Sequence, residues 1–161
     1  MIETISKKYA MSIKRAYPPA DAEVIAYEVG RKLNFRVTIA LTLLVSWFTG
    51  HLIGAIIAMC TFAFARRITG GLHLNLTMCT IVSVALFSTA PVIPMSTGAV
   101  VILSILLSIF YILLSADLSR WSIVIVCLAN LNILSVEVVF VLAAQILLVW
   151  MQQIQGGAKD E

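Results

Sequence analysis

His73 and Cys79 have the types and the spacing for nucleophilic acyl chemistry. They close a stretch that begins Arg66-Arg67-Ile68-Thr69-Gly70-Gly71-Leu72 and lies between two apolar runs. A thiolate is the reactive form of cysteine, and an imidazole ordinarily titrates near neutrality, which suits a base that later returns the proton. Thr77 is placed to cap the next helix, which puts Cys79 in its first turn. There the helix dipole and free backbone N–H groups lower a thiol's pKa, and the same groups can line an oxyanion hole. Gly70 and Gly71 permit a sharp turn or close approach to a ligand. Arg66 and Arg67 serve as topology anchors, and their guanidinium groups also suit carboxylates of an acidic substrate segment. The candidate catalytic residues are therefore Cys79 and His73, and the candidate substrate-binding residues are Arg66, Arg67, Gly70 and Gly71. Taken singly, each has a plainer reading: a glycine loop at a helix end, an interfacial imidazole, a small buried thiol.

These residues sit in a chain built for lipid. Of 161 residues, 61% are hydrophobic and 12% charged, where a soluble domain carries about 25% charged. The expected fold class is all-α, a polytopic membrane helical bundle. The first apolar run comes too late for a cleaved signal peptide. Cys60, Cys79 and Cys127 fit no zinc spacing, and His51 is expected on the opposite side of the bilayer from His73, which leaves too few ligands for a metal. No cofactor, no disulfide and no nucleic-acid partner is expected.

The positive charges set the topology. Lys7, Lys8, Lys14, Arg15, Arg31, Lys32 and Arg36 precede or begin the first apolar run. Arg66 and Arg67 follow the second, Arg120 the fourth and Lys159 the last. Basic residues thus fall in every second connection, which places those connections and both termini in the cytoplasm. Six spans are expected, at 34–50, 51–66, 78–95, 98–116, 121–135 and 136–153. The break between the last two is marked only by Ser135 and Glu137. Trp47, Trp121 and Trp150 fall near span ends, as interfacial anchors do.

Residues 1–33 read as a cytoplasmic N-terminal region and 154–161 as a cytoplasmic tail. Ile2, Ile5, Tyr9 and Ile13 recur at helical spacing beside Lys7, Lys8, Lys14 and Arg15, a basic amphipathic helix for an anionic leaflet. Pro18-Pro19 ends it, and Asp21 caps a second short helix. Among polar residues within the apolar runs, the amides Asn130, Asn132 and Gln145 are expected to bond helix to helix. Cys60 and Cys127 read as small core hydrophobes.

On Arg66, Gly70-Gly71, His73 and Cys79, with the basic N-terminus and the order of apolar runs, the chain resembles the accessory gene regulator B family. These are membrane cysteine endopeptidases of Gram-positive bacteria that mature a quorum-sensing peptide. The resemblance implies that Cys79 is the nucleophile and His73 its base. It implies cleavage of a small precursor peptide on its C-terminal side through a thioester on Cys79. Cyclisation to a thiolactone or lactone then follows, with release of an acidic C-terminal tail. It also implies an active site on the cytoplasmic side of a bacterial cell membrane. Arg66 and Gly71 match the family's arginine and second glycine. Two departures stand out. The spacing between His73 and Cys79 is one residue shorter than the family's, which turns Cys79 by about 100° on a helix. The connection at Asp117 to Arg120 is also shorter and less basic.

A second class of function stays open on the residues alone: a non-catalytic multi-pass protein, a small transporter or an assembly partner. Transporters carry ionisable groups at the midplane and broken helices, and this chain offers only amides there. Gly54, Ala55 and Ala58 form a small-residue face with room for a homodimer.

Overall fold

The computed structural model describes residues 2–70, 75–114 and 121–157. Among them there are only helices: α1 (Ile2–Ala16), α2 (Ala22–Thr49), α3 (Leu52–Thr69), α4 (Leu76–Thr89), a 3-10 turn (Ala90–Val92), α5 (Thr97–Leu114), α6 (Trp121–Ile133) and α7 (Val136–Gly157). The all-α class expected from composition is what the chain adopts. The connection containing Asp117 and Arg120, and the tail residue Lys159, lie outside the described residues.

Local signals account for the helix limits. Pro18-Pro19 stops α1, as proline must where an amide would be needed. Asp21 then caps α2, its Oδ1 accepting from the amides of Glu23 at 2.9 Å and Val24 at 3.3 Å. The separate short helix and first span expected after Asp21 are in fact one helix of 28 residues. Its sequence changes from charged to apolar near residue 34, but no residue there breaks a helix, so the solvent preference changes and the backbone does not.

The chain forms two compact units, Met1–Val45 with His73–Ala85, and Ser46–Leu72 with Leu86–Glu161. In the first, α1 turns a narrow stripe inward: Ile2, Ser6 and Ala10 are buried, while Ile5 and Tyr9 face out. Gly30 on α2 permits this approach. A Cβ there would lie 2.6 Å from the Leu76 side chain and 3.2 Å from the Ser6 hydroxyl. The residues read as one face therefore split: Ile2 is buried and Ile13 half-buried, while Ile5 and Tyr9 are on the surface.

In the second unit α5 packs on α6 and α7, and α3 packs on α7 with the 3-10 turn beneath both. Val100, Leu107, Tyr111, Ile123, Cys127, Val139 and Leu142 fill the core. Phe62 and Phe87 meet edge to face at 5.2 Å. Ala55, Ala58 and Ala65 are fully buried on α3, and a Cβ on Gly54 would lie 2.6 Å from both Pro91 and the Glu137 carboxylate. The small-residue face is thus used inside the protein. Cys127 is buried as expected, whereas Cys60 is exposed. It lies two residues from buried Ala58, about 200° round the helix, so it cannot share that face.

α6 and α7 are separate helices. Leu134 takes φ 57° between them, and Asn130 holds the break. Its Nδ2 donates to the Ser135 carbonyl at 3.0 Å and to Ser104 at 3.2 Å, while its Oδ1 accepts from the Ser135 amide at 3.0 Å.

Polarity runs opposite to that of a soluble protein. Phe48, Ile53 and Leu113 are 80%, 75% and 78% exposed, while Asn130 and Gln145 are 1% and 0% exposed. Lipid-facing helices show this distribution, because contact between spans comes from close packing and polar bonds. Among the described residues, Leu52–Thr69 alone has the length and apolarity of a full crossing, and Leu76–Val92, Thr97–Leu113, Trp121–Ile133 and Val136–Gln152 are shorter apolar segments.

Candidate active site

The helix that carries Cys79 begins one turn before it. Asn75 is the N-cap of α4: its side-chain Oδ1 accepts from the Met78 amide at 2.9 Å, and its carbonyl accepts from the Cys79 amide at 2.9 Å. Thr77, expected to cap this helix, lies two residues inside it. Asparagine caps at least as well as threonine and comes first in the chain. Cys79 remains in the first turn and is half-buried.

Thr77 has a different partner. Its amide donates to Glu3 Oε1 at 3.0 Å and its hydroxyl to Glu3 Oε2 at 2.5 Å, while the Ile2 amide donates to the Thr77 hydroxyl oxygen at 3.3 Å. The Thr77 hydroxyl, and next the Thr77 amide, hold the Glu3 carboxyl down from the ordinary 4.5 to about 2. A depressed carboxylate pKa contributes stability above the ordinary value, and loses it as pH falls through the folded value. The contact therefore stands through the neutral range and fails only near pH 2.

The amides of Thr77, Met78 and Cys79 are thus occupied by Glu3, the Asn75 side chain and the Asn75 carbonyl. None of these three amides is open to line an oxyanion hole in this arrangement.

Arg66, Arg67 and Gly70 sit at the C-terminal end of α3, in the unit that does not contain Cys79. Their cationic side chains stand where a helix favours positive charge. The Arg66 guanidinium lies 5.8 Å from the centre of the Phe62 ring, and Arg67 is exposed. Gly70 ends the helix at φ 68°, ψ −125°, with its amide on the Arg66 carbonyl at 3.0 Å. A Cβ at Gly70 would touch nothing within 4 Å, so glycine is needed there for the backbone angle and not for space. Gly71 and His73 lie outside the described residues.

Gln145 on α7 reaches this helix end. Its Nε2 donates to the Gly70 carbonyl at 2.7 Å and to the Thr69 hydroxyl at 2.8 Å, and the Thr69 hydroxyl in turn donates to the Ala65 carbonyl at 2.9 Å. Its Oε1 is buried without a partner. The helix-to-helix bonding expected of the amides is made by Gln145 here, and within the α5–α7 region by Asn130. The sequence marks Gln145 only as an amide in an apolar run, and nothing in it indicates which carbonyl the amide meets.

The family model described as accessory gene regulator B matches residues 2–155. The chain belongs to the accessory gene regulator B family. Comparison with curated proteins and with solved structures gave no match. Membership places the chain in quorum-sensing autoinducer processing, in a membrane-associated family of processing peptidases that act on a propeptide.

Gln145 thus ties the α3 end at Gly70 to α7. Gln145→Leu removes both donors, but it also removes the orphaned Oε1, so folding stability should change by no more than about 1 kcal/mol. Propeptide turnover should still fall about tenfold, because small displacements of a reacting group are costly. Kinetics and thermal unfolding of the detergent-solubilised protein check this together. Unchanged kcat in Gln145→Leu means that Gln145 only joins two helices.

Proposed function

We propose that this protein is a cysteine endopeptidase and cyclase embedded in a bacterial cell membrane, with its active site on the cytoplasmic side. Supporting the reading most directly is Cys79, a partly accessible thiol in the first turn of α4, in a family that processes propeptides. Helix N-termini are where thiolates are stabilised. The second half of α2 and helices α3 to α7 are the six spans of this reading, with N- and C-termini in the cytoplasm.

In the reaction, His73 takes the thiol proton as Cys79 Sγ attacks the scissile carbonyl. The tetrahedral intermediate collapses, the C–N bond breaks, and His73 returns the proton to the leaving amine. The N-terminal part of the precursor is now a thioester on Cys79, and the acidic C-terminal tail leaves. A thiol or hydroxyl within the bound peptide attacks the thioester carbonyl, and the Cys79 thiol is released. The ring that forms is a thiolactone or a lactone, and no water is consumed. Arg66 and Arg67 bind the acidic tail, and Gly70 with Gly71 lets the backbone approach the peptide.

The thioester is the test. A synthetic peptide with an amphipathic N-terminal half, one internal serine in place of the ring nucleophile and an acidic tail is mixed with the protein in lipid vesicles and quenched in acid. Because the serine slows ring closure, the expected species is the protein plus the N-terminal fragment, attached at Cys79 and removed by hydroxylamine. Tail release with no such adduct at any time rules out covalent catalysis by Cys79.

A further inference from the structure

The contact between Glu3 and Thr77 joins residues 74 positions apart. Glu3 is the one acidic residue of α1, a helix otherwise basic with Lys7, Lys8, Lys14 and Arg15. Its carboxylate engages both hydrogens that Thr77 offers, on the backbone and on the side chain. The exchange is mutual, since the Ile2 amide, an orphan donor of the first turn of α1, is satisfied by the Thr77 hydroxyl oxygen. Two helix N-termini thus satisfy one another, in addition to the cap that α4 receives from Asn75.

A second tether lies on the other side of Cys79. The Thr80 hydroxyl bonds to the Asn34 side chain of α2. In sequence order along α4, Thr77 is held by α1, Met78 by Asn75, and Thr80 by α2, with Cys79 between them. Gly30 lets Ser6 and Leu76 approach the same point on α2, so the three helices close on this turn. A reactive group needs this kind of support, because its own rotamer is only as fixed as the turn that carries it.

We propose that Glu3 is a positioning residue for Cys79: by taking the amide and hydroxyl of Thr77, it fixes the N-terminal turn of α4 and so the direction of the thiol. This rests on the reading of Cys79 as the nucleophile. It assigns α1 a role apart from membrane binding, since the helix latches the nucleophile's turn from the far end of the sequence. The effect is geometric. A glutamine at position 3 can accept from the Thr77 amide with its oxygen and donate to the Thr77 hydroxyl with its nitrogen, so it preserves the latch without the charge.

Kinetics of the full-length protein in lipid vesicles test this, with a synthetic peptide bearing an amphipathic N-terminal half, one internal cysteine and an acidic tail. Glu3→Ala should lower kcat about tenfold or more with KM within about twofold, as loss of transition-state geometry does. Glu3→Gln should stay within about threefold of the parent, as a preserved hydrogen-bond geometry requires. If Glu3→Ala does not accumulate, Thr77→Val and Thr77→Ser take its place, with Val expected to lose kcat and Ser to keep it. A Glu3→Ala protein with unchanged kcat overturns the inference. So does one that loses only KM, which makes α1 a substrate-docking helix, and so does a Glu3→Gln protein as slow as Glu3→Ala, which makes the charge the agent.

Hydrogen exchange of the segment 75–80 keeps the two readings apart. If Cys79→Ala still cleaves, the peptidase reading falls on its own. The latch is then judged by whether Glu3→Ala speeds exchange at Thr77 and Met78, and unchanged exchange overturns it.

Discussion

Cys79→Ala is expected to reduce propeptide cleavage by about 10⁴-fold or more, since loss of a nucleophile removes the covalent path altogether. The protein should still accumulate in the membrane. Cys79 is half-buried in the first turn of α4, and its amide bond to the Asn75 carbonyl does not depend on the side chain. The Glu3–Thr77 and Asn34–Thr80 contacts on either side are likewise untouched by the change. Cys60→Ser and Cys127→Ser are the controls, and both should cleave. Cys60 is exposed on the face of α3 opposite Ala58, and Cys127 is packed in the core beside Val124 and Ile123. The measurement is initial-rate cleavage of the acidic-tailed peptide at equal amounts of inserted protein. Cleavage by Cys79→Ala at even one tenth of the parental rate would place the chemistry elsewhere.

Much of this arrangement can be read in the sequence where a single residue imposes a local rule. Pro18-Pro19 and Asp21 mark the α1–α2 boundary because proline lacks an amide and aspartate supplies an acceptor. Gly70 marks the end of α3 because the φ of 68° there strains any other residue. Buried Gln145 and Asn130 are conspicuous among apolar neighbours, so their role as helix bonds is predictable in kind. Their partners are not, since those depend on how α7 lies on α3 and on the break at Leu134. The junction within α2 is hidden from the sequence for a related reason. A change from charged to apolar residues reports a change of solvent, and helices cross such changes without breaking. The capping of α4 is hardest to read. Asn75 and Thr77 are both good caps; Asn75 comes first and takes the role, and Thr77 bonds instead to a carboxylate from residue 3, a contact with no trace in local sequence.

His73→Ala is expected to slow cleavage by about 10² to 10⁴, the range that a positioned general base contributes. The argument starts from what remains at Cys79 without it. The thiol keeps its place in the first turn of α4. It gains no proton acceptor from the cap, because the Asn75 carbonyl takes the Cys79 amide and its Oδ1 takes the Met78 amide, while Glu3 is committed to Thr77. Nor do the amides of Thr77, Met78 and Cys79 stand open to an oxyanion, so the burden on proton transfer to the leaving amine is greater. His73→Ala should therefore leave some slow acylation and lose most of the return of the proton to the tail. Acylation of Cys79 by a pre-activated thioester peptide, whose thiolate leaving group needs no proton, separates the two steps. His73→Ala should acylate with that peptide within about tenfold of the parent, because the leaving group no longer needs an acid. An equal loss with both peptides would mean that His73 acts in forming or placing the thiolate and not as the acid that protonates the leaving amine.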